Sequence, residues 1–84
     1  MARKYWYKYI GPWGGEAAIS NYTLSPNGSG CFNGSKICKI YALYGGDIHP
    51  LSLSTHILEY IPQAKIDEVG YPRFGLKVVL VEQP

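Results

Sequence analysis

Charge is scarce in this chain. Only 17% of its 84 residues are charged, and eight Lys and Arg set against six Asp and Glu leave a net charge of +2. That balance is far from the strongly basic footprint of an obligate nucleic-acid binder. Long apolar runs are missing as well: no stretch approaches the length of a membrane-spanning helix, so no membrane span is expected. The opening Met1-Ala2-Arg3-Lys4-Tyr5-Trp6-Tyr7 has basic residues but no apolar core of a signal peptide, which points to synthesis in the cytoplasm. Cysteine is limited to Cys31 and Cys38, too few for a disulfide scaffold. Internal repeats and low-complexity tracts do not occur.

What the chain has instead is rings and glycine: eight Tyr, two Trp, two Phe and ten Gly. The length implies one domain, residues 1–84. A chain of this size buries only about 60% of its unfolded surface, so large rings, which bury much area at little rotamer cost, are an economical source of stability. The same rings suit an interface with another chain.

The most informative stretch runs from Gly30 to Gly45. It opens as a glycine-rich turn and continues from Lys36 to Tyr44 in residues that favour a pleated, half-buried strand. Alternation places Cys38, Ile40, Ala42 and Tyr44 on one face, uncharged and therefore expected to face the core. Ile37, Lys39, Tyr41 and Leu43 take the other face. Two readings of the cysteines stand. A Cys31–Cys38 disulfide closes a short loop and contributes roughly 2.5 kcal/mol by chain entropy. Otherwise both are reduced, with Cys38 a small buried apolar residue and Cys31 in a turn.

Three further strands and one helix complete the pattern. Residues 3–10 alternate Arg3, Tyr5, Tyr7 and Tyr9 against Lys4, Trp6, Lys8 and Ile10. This reads as an outer strand whose lysines discourage unwanted pairing. Gly11-Pro12-Trp13-Gly14-Gly15 is a turn, with Trp13 expected to fold back over the sheet. Residues 17–24 form a second strand antiparallel to the first, and Ser25 to Gly30 is loop chemistry. A helix is expected over 53–61. Leu53, Ile57, Tyr60 and Ile61 form its apolar stripe, Ser52 or Ser54 caps it, and Pro62 ends it. Residues 63–73 form a connector with Ile66 and Val69 tucked inward, and residues 74–81 a last strand, central or covered by the helix. The order β-β-β-α-β describes an α+β fold: a small, mainly antiparallel four-stranded sheet with one short helix packed on one face.

Chemistry-bearing groups are few. Cys31, Cys38, His49 and His56 are zinc-ligand types, but their spacing fits neither a ribbon nor a finger. A Cys31 nucleophile paired with either histidine lacks any local feature that activates a thiolate. Asp47-Ile48-His49 can orient a histidine through a carboxylate, a pairing that also arises by chance. The three Asn-x-Ser/Thr triplets at Asn21, Asn27 and Asn33 lack a secretory context, and two are ordinary Asn-Gly turns. No catalytic residue, metal site or cofactor is assigned.

The run Lys4-Tyr5-Trp6-Tyr7-Lys8-Tyr9, followed by Cys31-Phe32-Asn33-Gly34-Ser35-Lys36-Ile37-Cys38-Lys39-Ile40-Tyr41-Ala42, resembles short uncharacterised proteins of Bacteroidota bacteria and their phages. In these an aromatic N-terminal strand precedes a Cys-containing turn and an Ile-Tyr-Ala strand. The likeness covers the first half of the chain. It implies no activity or site residues, and is compatible with a structural protein of a virion or another assembly.

The leading expectation is a non-enzymatic structural or interaction protein whose partner is a protein, either its own copies or another assembly component. Tyr5, Trp6, Tyr7, Tyr9, Trp13 and Tyr41 are its candidate contacts. The rival is a single-stranded nucleic-acid-binding domain in which Arg3, Lys4 and Lys8 meet phosphate and the same rings stack on bases.

Overall fold

A computed structural model describes residues 3–12, 14–28, 30–32 and 34–83. Four strands, β1 (Lys4–Tyr9), β2 (Tyr22–Leu24), β3 (Lys36–Leu43) and β4 (Val79–Glu82), form one antiparallel sheet in the order β2-β1-β3-β4. The helix α1 (Thr55–Asp67) lies between β3 and β4 in sequence. This is the small α+β architecture that the alternation patterns indicate. β1 is an inner strand rather than an outer one, paired with β2 through Tyr9↔Tyr22 and with β3 through Tyr7↔Ile40.

The core lies on one sheet face. Tyr7, Tyr9, Tyr22, Ile40, Ala42, Val79 and Val81 meet Ile57, Ile61 and Ala64 of α1 there. Ile37 joins them, against its expected outward position. The pairing shifts between Ile37↔Val81 and Lys39↔Leu80, so Cys38 is an extra residue in a β-bulge. A bulge reverses the facing of every residue beyond it relative to strict alternation, which brings Ile37 and Ile40 to the same side. Cys38 is joined to Cys31 in a disulfide, the first of the two readings of the cysteines.

The helix outruns its expected end. Pro62 lies inside it and the chain continues helical to Asp67. Proline removes one backbone hydrogen bond and costs about 3 kcal/mol in a helix interior. Here it sits on the exposed side, while Ile57, Ile61 and Ala64 carry the buried stripe past it at i, i+4, i+7. Ser54 caps the start, its Oγ accepting from the Ile57 amide at 3.2 Å. Glu68 ends the helix in the left-handed conformation, its amide donating to the Ala64 carbonyl. Ile66, expected inward, is 79% exposed, because five residues beyond Ile61 the helix has turned to its solvent side.

Two strands are shorter than expected. Residues 17–21 make successive turns and a 3-10 segment (Ile19–Asn21) instead of pairing, and only Tyr22–Leu24 joins the sheet. The cause is Glu16, drawn under the loop to Lys65 of α1. Residues 74–78 likewise stay outside β4. Gly75 at φ +88 turns the chain, Phe74 and Leu76 are exposed, and Tyr71 pairs with Val79 at the foot of the loop.

The tyrosine hydroxyls separate two kinds of burial. Tyr22 donates to the Glu16 carbonyl at 2.7 Å, whereas the fully buried Tyr7 hydroxyl makes no hydrogen bond of good geometry among the described residues, although the Gly45 backbone lies close enough to act on it. Removing a satisfied buried hydroxyl strands its partner, while removing an unsatisfied one relieves a desolvation penalty. Tyr22→Phe is therefore expected to cost about 1–2 kcal/mol in urea unfolding, and Tyr7→Phe to be neutral or stabilising by up to about 1 kcal/mol.

Candidate interaction surface

The sheet has one covered face and one partly covered face, and the candidate contact residues divide between them. Tyr7 and Tyr9 point into the core and are buried, which withdraws both from any surface set. The alternation of β1 that groups the tyrosines together also sends that group inward. Tyr9 and Tyr22 sit opposite one another with centroids 5.1 Å apart. The Tyr9 hydroxyl donates to the Pro12 carbonyl, fastening the following turn. Burial raises the phenol pKa of Tyr9 and of Tyr22, and the nearby Glu16 charge adds to it. Trp13 lies outside the described residues.

On the opposite face Trp6 and Tyr41 are directly paired across β1 and β3, tilted with centroids 5.1 Å apart. Lys4 and Lys8 flank Trp6 along β1 on this side and are exposed, as is Arg3 just before the strand. The loop after β2 folds onto this face. A Cβ on Gly28 would lie 2.5 Å from the Trp6 indole, so only glycine permits the approach. Lys39, opposite Lys8, is bent beneath the same loop, its Nζ donating to the Asn27 carbonyl at 3.0 Å. The disulfide joins Cys31, just after this loop, to β3. The aromatic-basic strip is therefore half roofed, with Trp6 and Tyr41 only partly exposed.

The chemistry-bearing groups do not converge. Both thiols are consumed by the disulfide. The Asp47 carboxylate accepts from the His49 backbone amide at 2.8 Å rather than orienting its ring, and His49 Nδ1 lies 2.7 Å from the Tyr22 carbonyl. Among the described residues no three His, Cys, Asp or Glu side chains group as a metal would require.

Where the core face runs out past β2, aliphatic side chains are left in solvent. Ile19, Leu24, Ile48 and Leu51 are 39 to 58% exposed. The Leu24 amide donates to the Ile48 carbonyl at 2.7 Å, placing those two residues side by side. Ile19 and Leu51 line one shallow depression with Pro50 and His49. Beside it Tyr5 and Tyr44, also exposed, meet edge to face at 5.0 Å. Of the described ring residues proposed as contacts, Tyr5 is the one joined to this surface, through Tyr44 and its bridge to Pro50. Sequence reasoning missed these residues because Ile19 and Leu24 fall in a segment read as a paired strand and Ile48 and Leu51 in a turn segment. The available signal was Ile48 and Leu51 within Gly46-Asp47-Ile48-His49-Pro50-Leu51, apolar residues in a stretch too rich in turn formers to make a buried strand.

No family model matches the chain, and no curated protein or solved structure shows significant similarity to it. Among the described residues no helix is long and apolar enough to cross a membrane.

The loop that carries Ile19 is held by an ion pair. Glu16 is buried and its carboxylate meets Lys65 Nζ at 3.0 Å. Burial alone raises its pKa. The Lys65 ammonium, with its own amide and that of Gly14, outweighs this and holds it below the ordinary carboxylate value. A folded-state pKa below the unfolded one stabilises the fold above the carboxylate range, and that stabilisation is lost as pH falls through the folded value. Lys65→Met is expected to cost about 2–3 kcal/mol at neutral pH and to flatten this acid-side loss in urea titrations at stepped pH.

Removing the disulfide with a paired Cys31→Ser, Cys38→Ser variant is expected to cost about 2.5 kcal/mol in the same assay. The parent chain should show no free thiol by alkylation and mass measurement until it is reduced.

Proposed function

We propose that this chain is a non-catalytic structural or interaction protein that works by joining protein chains in a larger assembly. The observation that carries this reading is the apolar surface of Ile19, Leu24, Ile48 and Leu51 beside the Tyr5–Tyr44 pair. Exposed aliphatic side chains grouped in two pairs, Leu24 with Ile48 and Ile19 with Leu51, near exposed rings are the kind of surface a protein contact covers. The reading takes a second copy of the chain as the first partner, because two-fold self-association is the commonest arrangement of soluble oligomers. The disulfide supports a mature location outside the reducing cytosol. A virion component, made in the cytoplasm and ending in an extracellular particle, fits that history.

The nucleic-acid reading has one observation in its favour: Trp6 and Tyr41 form an aromatic pair with exposed Lys4 and Lys8 beside it. The loop packed on the indole at Gly28 removes much of the stacking area that a base needs, so this reading ranks second. Its mark is affinity for single strands that falls steeply with salt and is lost in Lys4→Gln, Lys8→Gln.

Light scattering across a dilution series is expected to give a defined oligomer. Ile48→Ser and Leu51→Ser are each expected to weaken it about tenfold or more, about 1.4 kcal/mol apiece, with unfolding midpoints unchanged at dilutions where the parent is monomeric. A monomer at every concentration contradicts self-association.

A further inference from the structure

A cavity at the start of α1 plays no part in the proposed contact. It holds about 380 Å³, within the range of small-molecule sites, roughly 300–1,000 Å³. Tyr41 of β3, Ile57 and Tyr60 of α1 and Leu76 of the loop between α1 and β4 form apolar walls. His56 stacks on Tyr60 in the lining, and the buried Tyr71 backs Tyr60 from behind the wall. Leu76 lines the cavity yet is 92% exposed, an apolar side chain almost wholly bare at the mouth. The polar lining includes Lys4, Ser54 and His56 and no Asp or Glu.

We propose that this cavity binds a small organic monocarboxylate with an apolar body, the carboxylate at Lys4 and the hydrocarbon or aryl body against Tyr60 and Leu76. Charge complementarity selects the head group. Lys4 is the only Lys or Arg in the lining, and among the described residues it has no ion-pair partner. A single cation matches one negative charge, and a second charge on the ligand would be desolvated against apolar walls without compensation. The Ser54 hydroxyl already accepts from the Ile57 amide, which leaves its own proton to donate to a ligand oxygen. The wall chemistry selects the tail, since aliphatic and aromatic surfaces reward apolar area. This inference stands apart from the assembly reading, since its lining shares no residue with the Ile19, Leu24, Ile48 and Leu51 surface.

The test uses octanoate as the probe and octanol as its uncharged match, followed in amide NMR spectra of the full chain. Octanoate is expected to shift the amides of Tyr41, His56, Ile57 and Val78 saturably. Lys4→Gln, an exposed substitution, is expected to weaken octanoate about fivefold and leave octanol unchanged. The remaining amides of the variant should superpose on those of the parent, which checks the fold in the same spectra. Absence of saturable shifts at these residues, or octanoate and octanol binding equally well to the parent, overturns the proposal. An unchanged octanoate affinity in Lys4→Gln also overturns it.

Discussion

A four-stranded sheet has two faces, and this chain has one helix with which to cover them. α1 packs over β3 and β4 on the core side, where Ile57, Ile61 and Ala64 meet Ile37, Ile40, Val79 and Val81. Everything else that needs covering must be covered by loops. Loops carry backbone polar groups and lose more entropy than they recover in apolar contact, so each must be held by specific bonds. The loop of residues 11–21 is held by the tyrosine hydroxyls of β1 and β2 and by Glu16–Lys65. The loop after β2 is held by Lys39 and by the close approach of Gly28 to Trp6, and the turn that follows it by the disulfide. The inner position of β1 follows from the same arrangement: its tyrosines serve at once as core and as fasteners.

The parts of the fold that were legible in the sequence are those with a clean period. β1 and the body of β3 alternate plainly, and the α1 stripe of Ile57, Tyr60 and Ile61 announces a helix. The parts that were not legible depend on contacts from elsewhere in the chain. Nothing local to Cys38 announces that it occupies a bulge, yet the bulge decides that Ile37 is core. Pro62 is a strong local stop, overridden because Ala64 finds the sheet and Lys65 finds Glu16 on the far side of it. Residues 17–21 carry no signal that Glu16 will be pulled inward, so a strand is the natural local reading. Two of the candidate contacts were misplaced for one reason: a tyrosine that looks like interface by composition looks the same when it is core, and Tyr7 and Tyr9 are core.

Loop covering also has a consequence for function. A segment that must cover a core face directs some side chains inward and the rest outward, and a glycine-rich, turn-dense segment has little freedom in choosing which. In the segment after β3, Pro50 goes inward while Ile48 and Leu51 go out. The apolar surface beside Tyr5 and Tyr44 thus arises from the same economy that closes the core. The reading of the chain as an assembly protein assigns that surface a use.

Hydrogen exchange measured at low and high protein concentration tests self-association through this surface. The Leu24 and Leu51 amides, bonded to Ile48 and Leu43, lie at the proposed contact and report on it. Exchange across residues 19–24 and 45–51 is expected to slow as concentration rises, while residues 72–77 and the Trp6–Tyr41 face are unaffected. Exchange independent of concentration everywhere, or a change confined to the Trp6–Tyr41 face, would contradict self-association through this surface.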